Sequence, residues 1–154
     1  SVRRFEFDSV RVDLPTPLPV LARLGGVSAP ELAELNPHLL TGVAPAFYWV
    51  WVPKGTAAAT EQAWRASEFR GRGGFAYYTL RAGESIATLA EAGMTADQLR
   101  DLNPGVVVDA VQAGDRLRVF ADAARTLSAR RVDRAAAETR PEPHLAGHPV
   151  AQRR

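Results

Sequence analysis

Residues 28–37 read SAPELAELNP and residues 95–104 read TADQLRDLNP, an offset of 67 (95 − 28). Both stretches open on a hydroxyl residue, Ser28 or Thr95, with Glu31 or Gln98 three places later. That spacing is a capping box, in which each side chain satisfies a backbone N–H left without a partner at a helix start. Leu32 and Leu35 in one copy, and Leu99 and Leu102 in the other, then fall at helical spacing on one face. Asn36-Pro37 and Asn103-Pro104 stop the two helices, because proline cannot continue the hydrogen-bond ladder. One signature occurring twice at a fixed offset predicts two copies of one small structural unit.

The flanks complete that unit. Phe5 to Val12 alternates apolar and polar residues, which is strand periodicity. Asp13 to Pro17 reads as a turn, and Leu18, Leu21 and Ala22 recur at helical spacing until Gly25-Gly26 ends the helix. After Asn36-Pro37 a loop runs to Phe47, and Tyr48 to Val52 is a strand closed by Pro53. The second copy runs in parallel. Ala76 to Leu80 is the strand, Arg81 to Glu84 the turn, Ile86, Leu89 and Ala90 the first helix ended by Gly93, and Leu117 to Val119 the closing strand. First-helix positions pair at an offset of 68 (86 − 18) and the rest at 67, so the second copy is one residue shorter before its inter-helix glycine. Its first helix is therefore expected to be the tighter one.

The expected fold class is α+β: two strand–helix–helix–strand modules, at 5–55 and 75–121, joined by a segment at 56–74. That segment holds an Ala-rich helix from Ala57 to about Phe69 with Trp64 on its buried side, then a flexible hinge at Gly71-Arg72-Gly73-Gly74. From 122 to 154 the apolar period fades. Pro141, Pro143, Gly147 and Pro149 mark a largely disordered tail, with room for a short helix over 123–138.

The formal net charge is +2, and it is unevenly placed. From Asp122 on there are seven Arg against four acidic residues, so the tail carries +3 and the remainder −1 (2 − 3). A near-neutral body argues against a basic face built for nucleic acid. Absence of cysteine excludes disulfides and cysteine-based metal sites. No stretch approaches the roughly 18–20 apolar residues of a membrane span. The first residue is Ser1 rather than Met, which reads as a piece excised from a longer chain.

Residues 78–119 resemble the lysin motif, LysM. The matching stretches are Tyr78-Thr79-Leu80-Arg81-Ala82-Gly83-Glu84-Ser85-Ile86, then Gly93-Met94-Thr95, Leu102-Asn103 and Ala113-Gly114-Asp115-Arg116-Leu117-Arg118-Val119. Glu84-Ser85 departs from the family's Asp-Thr, and Phe120 stands where proline is usual. The first copy is a more distant cousin. Phe7 to Val10, Leu21 to Ser28, Glu34 to Pro37 and Val52 to Gly55 resemble the segment that follows the catalytic domain in membrane-bound lytic murein transglycosylase D and its relatives. Together the resemblance covers 5–120. It implies a parent chain that cleaves peptidoglycan in the bacterial periplasm or cell envelope, and a piece that binds the glycan without cleaving it. The implied partner is peptidoglycan or another N-acetylglucosamine-containing glycan, and the parent's own catalytic domain is a further one. No cofactor is implied.

In the LysM family the glycan groove lies between the first strand–helix turn and the loop after the second helix. Carried onto this chain, it pairs Gly83, Glu84, Ser85 and Ile86 with Asn103, Pro104, Gly105, Val106 and Val107. Gly83 and Gly105 leave the backbone open to close approach. The first copy offers Leu14, Pro15 and Thr16 with Asn36, Pro37, His38 and Leu39; it lacks both glycines, and Pro15 removes a donor. The second copy is thus expected to bind and the first to be chiefly structural. Every one of these residues also has a plain structural role open to it. The asparagines are helix stops, the glycines turn residues, Ser85 a helix cap, and Tyr77, Tyr78, Trp49 and Trp51 strand aromatics of a kind most often buried. Trp49 and Trp51 share one strand face, and an exposed pair there would suit docking of the parent's catalytic domain.

Catalysis is not expected of this chain. Lytic transglycosylases use one protonated glutamate as acid and then base. Glu84-Ser85 carries the family's dipeptide but lies in a turn before a short helix. His144 and His148 sit among Pro143, Gly147 and Pro149, which oppose the helix that would align them on a metal.

Overall fold

The computed structural model describes residues 6–139. β1 (Phe7–Val12) is followed by the two-residue β2 (Thr16–Pro17), α1 (Leu18–Gly25), α2 (Ala29–Leu35), the two-residue β3 (Val43–Ala44) and β4 (Tyr48–Pro53). Next come α3 (Ala57–Arg65) and α4 (Glu68–Gly71). Then follow β5 (Phe75–Thr79), α5 (Ile86–Glu91), α6 (Ala96–Leu102), a 3-10 turn at Val108–Ala110, β6 (Arg116–Phe120) and α7 (Ala121–Thr139). Helix and strand are mixed, and the order strand–helix–helix–strand occurs twice.

β1 pairs antiparallel with β4, placing Val10 opposite Val50 and Arg11 opposite Trp49. β5 pairs antiparallel with β6, placing Tyr78 opposite Leu117. Side chains alternate across a strand, so each sheet turns one face inward. Val10, Val12, Val50 and Val52 are buried with Leu18, Leu21 and Leu32. In the second half Tyr78, Leu80, Leu117 and Val119 are buried with Leu89, Leu99 and Leu102. Each of the fully buried Leu and Val side chains contributes roughly 1.5–3 kcal/mol. The two halves lie in one compact unit that ends at Ala124. Within it α1 touches α6, and the Arg23 guanidinium donates to Asp101 at 3.0 Å.

Helix ends follow the local chemistry. Gly26 closes α1 in the left-handed region at φ 67°, and its N–H reaches back to the carbonyls of Ala22 and Arg23. The box on α6 is complete: Thr95 Oγ1 accepts from the Gln98 N–H at 3.1 Å, and Gln98 Oε1 accepts from the Thr95 N–H at 2.9 Å. On α2 it is half formed. Ser28 Oγ accepts from the Glu31 N–H at 3.2 Å, but the Glu31 carboxylate takes the Ser28 hydroxyl, not its N–H. α5 has six residues where α1 has eight, the direction expected from the missing residue.

Three segments differ from expectation. The linker helix breaks at Ala66-Ser67, because Ser67 caps a new turn by accepting from the Arg70 N–H at 3.1 Å. Trp64 is buried as expected. The glycine stretch is pinned: Arg72, inside it, donates to Asp122 at 2.8 Å, to the Gly93 carbonyl at 2.8 Å and to the Ala92 carbonyl at 2.9 Å. Its guanidinium also lies 4.5 Å from the Phe120 ring centroid. The third difference is the tail. A largely disordered segment is expected from 122, but its first part is one helix over Ala121–Thr139 that spans the short helix allowed over 123–138, since Ala and Arg favour helix and no breaker interrupts them. Residues from Arg125 on form a second unit. Pro141, Pro143, His144, Gly147, His148 and Pro149 lie outside the described residues.

Candidate functional site

The turn after β5 is braced from within. The Glu84 carboxylate accepts from the Tyr78 hydroxyl at 2.8 Å and from the Arg81 N–H at 2.8 Å. Ser85 caps α5: its Oγ accepts from the Ala87 N–H at 3.2 Å, and its own N–H donates to Thr88 Oγ1 at 3.0 Å. Glu84 and Ser85 therefore fix the shape of the turn with their side chains. Gly83 stands exposed at φ 84°, a conformation that side-chain-bearing residues rarely adopt.

Asn103 is a clasp between α6 and β6. Its amide nitrogen donates to the Leu99 carbonyl at 3.0 Å and to the Arg118 carbonyl at 2.8 Å, and its oxygen accepts from the Arg118 N–H at 2.8 Å. Asn36 does the same in the first half, with Leu32 at 2.8 Å and both backbone groups of Trp51 at 2.8 and 2.9 Å. Asparagine is required because one planar group must donate twice and accept once. The Leu-Asn-Pro endings are thus more than helix stops: each asparagine ties its helix end to the closing strand. Both amide donors of Asn103 are used in that tie.

Pro104 and Gly105 are exposed beyond the clasp, with Gly105 at φ 88°. Among the described residues neither Gly83 nor Gly105 spends its N–H or C=O on an internal hydrogen bond. Both present free backbone donors and acceptors to an approaching ligand. Val106 is half-buried and Val107 is exposed. These two line a depression of 340 Å³ with Ala110, Val111, Arg116 and Leu117. Gly83, Glu84, Ser85 and the half-buried Ile86 do not line it. The chain enters their turn from Leu80, which exchanges hydrogen bonds with Gly114 and Asp115 at 2.8 and 2.9 Å where β6 begins.

The first half is closed at the matching place. Thr16-Pro17 pairs with Val43-Ala44, and the Leu18 N–H donates to the Gly42 carbonyl at 2.9 Å. Thr16 and Asn36 are buried, and Thr16 Oγ1 donates to the Leu14 carbonyl at 2.7 Å. No corresponding ladder joins 83–86 to 105–111, so the second half keeps that space open.

The strand aromatics divide between core and surface. Tyr78 is buried, whereas Trp49 and Trp51 are exposed and Tyr77 is half exposed. Each strand has only one buried face and residues two apart share a face, so Trp49 and Trp51 are exposed together while Val50 between them is buried. Beside Trp49, the Arg70 guanidinium donates to Asp13 at 2.7 Å and holds the Asp13 carboxyl below its ordinary value. No described helix is long and apolar enough to cross a membrane.

Comparison with known proteins bears on the second half. No curated protein matches the chain. The family model described as the LysM domain matches residues 78–120, the stretch that contains the braced turn, the Asn103 clasp and the open loop. LysM domains generally bind peptidoglycan and related N-acetylglucosamine glycans. The chain carries a LysM domain at residues 78–120.

Proposed function

We propose that this chain binds the glycan of peptidoglycan without cleaving it, through the LysM domain, and that it holds a lytic murein transglycosylase to the cell wall in the bacterial periplasm or envelope. The missing strand ladder between 83–86 and 105–111 carries the proposal, because the first half has such a ladder at the matching place and the second half leaves the backbone groups of Gly83 and Gly105 unpaired. N-acetylated sugars need backbone groups that can be approached closely and an apolar floor for the acetyl methyl. Gly83 and Gly105 supply the first, and Val106 and Val107, which line the depression, supply the second. The first half is a divergent copy of the same module, retained as scaffold at this position.

Glu84 is not a catalytic acid in this proposal. Its carboxylate is engaged by Tyr78 and Arg81, where a general acid must be free to meet the glycosidic oxygen. The transglycosylase link rests on the resemblance of residues 5–55 to the segment that follows the catalytic domain in that family. Single grooves of this kind hold weakly, and tethering to an enzyme on the same chain converts weak binding into a high effective concentration.

Co-sedimentation of the purified chain with insoluble peptidoglycan tests the proposal. The wild type is expected in the pellet, and Gly105→Val and Gly83→Val in the supernatant. A wild-type chain that stays in the supernatant at every peptidoglycan concentration refutes glycan binding. Release of soluble fragments by the isolated chain refutes the non-catalytic part.

A further inference from the structure

The outward face of the β1–β4 sheet carries an organised group of aromatic residues. Trp49 is 56% exposed and Trp51 38% exposed. They stand two residues apart on one strand, about 6.8 Å. The Phe7 ring stacks on Trp51 with centroids 4.6 Å apart, and His38 meets Trp51 edge-on at 5.6 Å. These contacts set the orientation of Trp51, with Phe7 covering one face of its ring.

Next to Trp49 is a cleft of 310 Å³ bordered by Arg11, Asp13, Glu61, Arg65 and Arg70. Asp13 pairs with Arg70 at 2.7 Å and Glu61 with Arg65 at 3.6 Å. Arg11 lies over the Phe47 ring at 5.2 Å and has no carboxylate partner among the described residues. The cleft therefore combines an aromatic wall, hydrogen-bonding charged groups at its rim and one guanidinium in excess. A pyranose ring matches that combination: its C–H face lies on an aromatic ring, its hydroxyls meet paired carboxylates and guanidiniums, and an anionic substituent meets the spare cation.

We propose that this face is a second carbohydrate site, in which a hexose chain bearing carboxylate groups lies across Trp49 and Trp51 with a carboxylate at Arg11. The choice of a glycan as occupant rests on the proposed function. The site itself is separate from the Gly83–Gly105 region, and its geometry belongs to the first half, where the loop space is closed. Two sites on one compact unit would engage one strand, or two neighbouring strands, together.

The chain's three tryptophans, Trp49, Trp51 and Trp64, all precede the LysM domain, and Trp64 is buried. Tryptophan emission therefore reports on this face, while the amide resonances of Gly83 and Gly105 report on the LysM domain. Both are followed in the full chain during titration with soluble peptidoglycan strands stripped of their stem peptides, which frees a lactyl carboxylate on alternate sugars, and with a neutral N-acetylglucosamine hexamer. Saturable change in emission with the carboxylate-bearing strands is expected. Trp49→Ala should weaken that affinity about tenfold, the loss of one stacked ring. Arg11→Gln should weaken it several-fold for the charged strands and leave the neutral hexamer unaffected. Both side chains are exposed, and circular dichroism verifies that the variants fold. Unchanged emission while Gly83 and Gly105 shift overturns the second site alone. An emission response that survives Trp49→Ala unaltered also overturns it. Silence of both reporters overturns the glycan assignment as a whole.

Discussion

Replacing Asn103 by alanine separates scaffold from ligand contact at a position that serves either reading. The structure gives its carboxamide three hydrogen bonds, at 2.8, 2.8 and 3.0 Å, joining the end of α6 to the middle of β6. A net contribution near 1 kcal/mol per bond gives about 3 kcal/mol, and water that reaches the partly exposed Arg118 groups lowers this to about 2–3 kcal/mol. Asn36 makes the same three bonds but is only 1% exposed, and its bond to the Leu32 carbonyl is buried where the matching bond of Asn103 is part-buried. Asn36→Ala should cost about 3–4 kcal/mol. With a urea m-value of about 2 kcal/mol/M, the Asn103→Ala midpoint falls by about 1–1.5 M and the Asn36→Ala midpoint by about 1.5–2 M. Equilibrium urea unfolding, followed by far-ultraviolet circular dichroism, measures both. Asn103→Asp adds a control: it keeps the acceptor for the Arg118 N–H but faces two carbonyls with a carboxylate, and should be no more stable than the alanine variant at neutral pH. If Asn103→Ala unfolds at the wild-type urea concentration yet fails to co-sediment with peptidoglycan, the clasp is wrong and Asn103 is a ligand contact.

Arg72→Ala should destabilise the chain by about 2–3 kcal/mol, since charge-assisted bonds to Asp122 and two carbonyl bonds go together; thermal melting measures it, and a shift below about 2 °C contradicts the pinned glycine stretch. Gly105→Ala meets no atom within 4 Å, so its cost is the left-handed backbone alone, about 1 kcal/mol. It should therefore fold and, with only a methyl added, keep most of its glycan affinity where Gly105→Val loses it; equal loss in both argues for strain and not access. Asp13 has its pKa lowered in the folded chain by the Arg70 hydrogen bond, so the pair stabilises above the unfolded carboxyl's value near pH 4, and that stability is lost as pH falls through the lowered value. Asp13→Asn should consequently be less stable than wild type at pH 6 and converge with it toward pH 2, as read by urea midpoints across that range.

Helix positions were legible because their signals are local. Ser28, Thr95 and Gly26 act through bonds to residues within five positions, and those bonds form where the spacing places them. The asparagine clasps were half legible: Leu-Asn-Pro marks a helix stop, but the strand it ties to lies 15 residues further on. One signal was available, since both asparagines precede their closing strands by the same interval. The pinning by Arg72 had no local signal at all, because Gly71 to Gly74 reads as flexible until Asp122, Ala92 and Gly93 are brought beside it. The candidate site divided in the same way. Gly83 and Gly105 were readable from their turns, whereas the engagement of Glu84 by Tyr78 depends on a tertiary contact across the turn.

The two halves show how one arrangement can keep its frame and lose its opening. The frame requires an asparagine at the helix end and alternating apolar residues on two strands, and both halves have them. The opening requires that the turn after the first strand leave its backbone unpaired. Thr16-Pro17 gives that up: proline has no N–H to offer a ligand, and the Thr16 side chain turns back on the Leu14 carbonyl, so the segment is satisfied by Val43-Ala44 instead. Gly83 is not satisfied this way: Glu84 bonds back to Tyr78 and Arg81 within its own turn, and no ladder joins 83–86 to 105–111. Closing the first opening leaves its outer sheet face, with Trp49, Trp51 and Arg11, as the surface of that half with the chemistry to meet a sugar chain. If selection for glycan contact acts on the first half, it therefore acts on those three side chains, and exchanging Thr16-Pro17 for Glu-Ser should loosen the β2–β3 ladder without restoring a site unless a glycine precedes it.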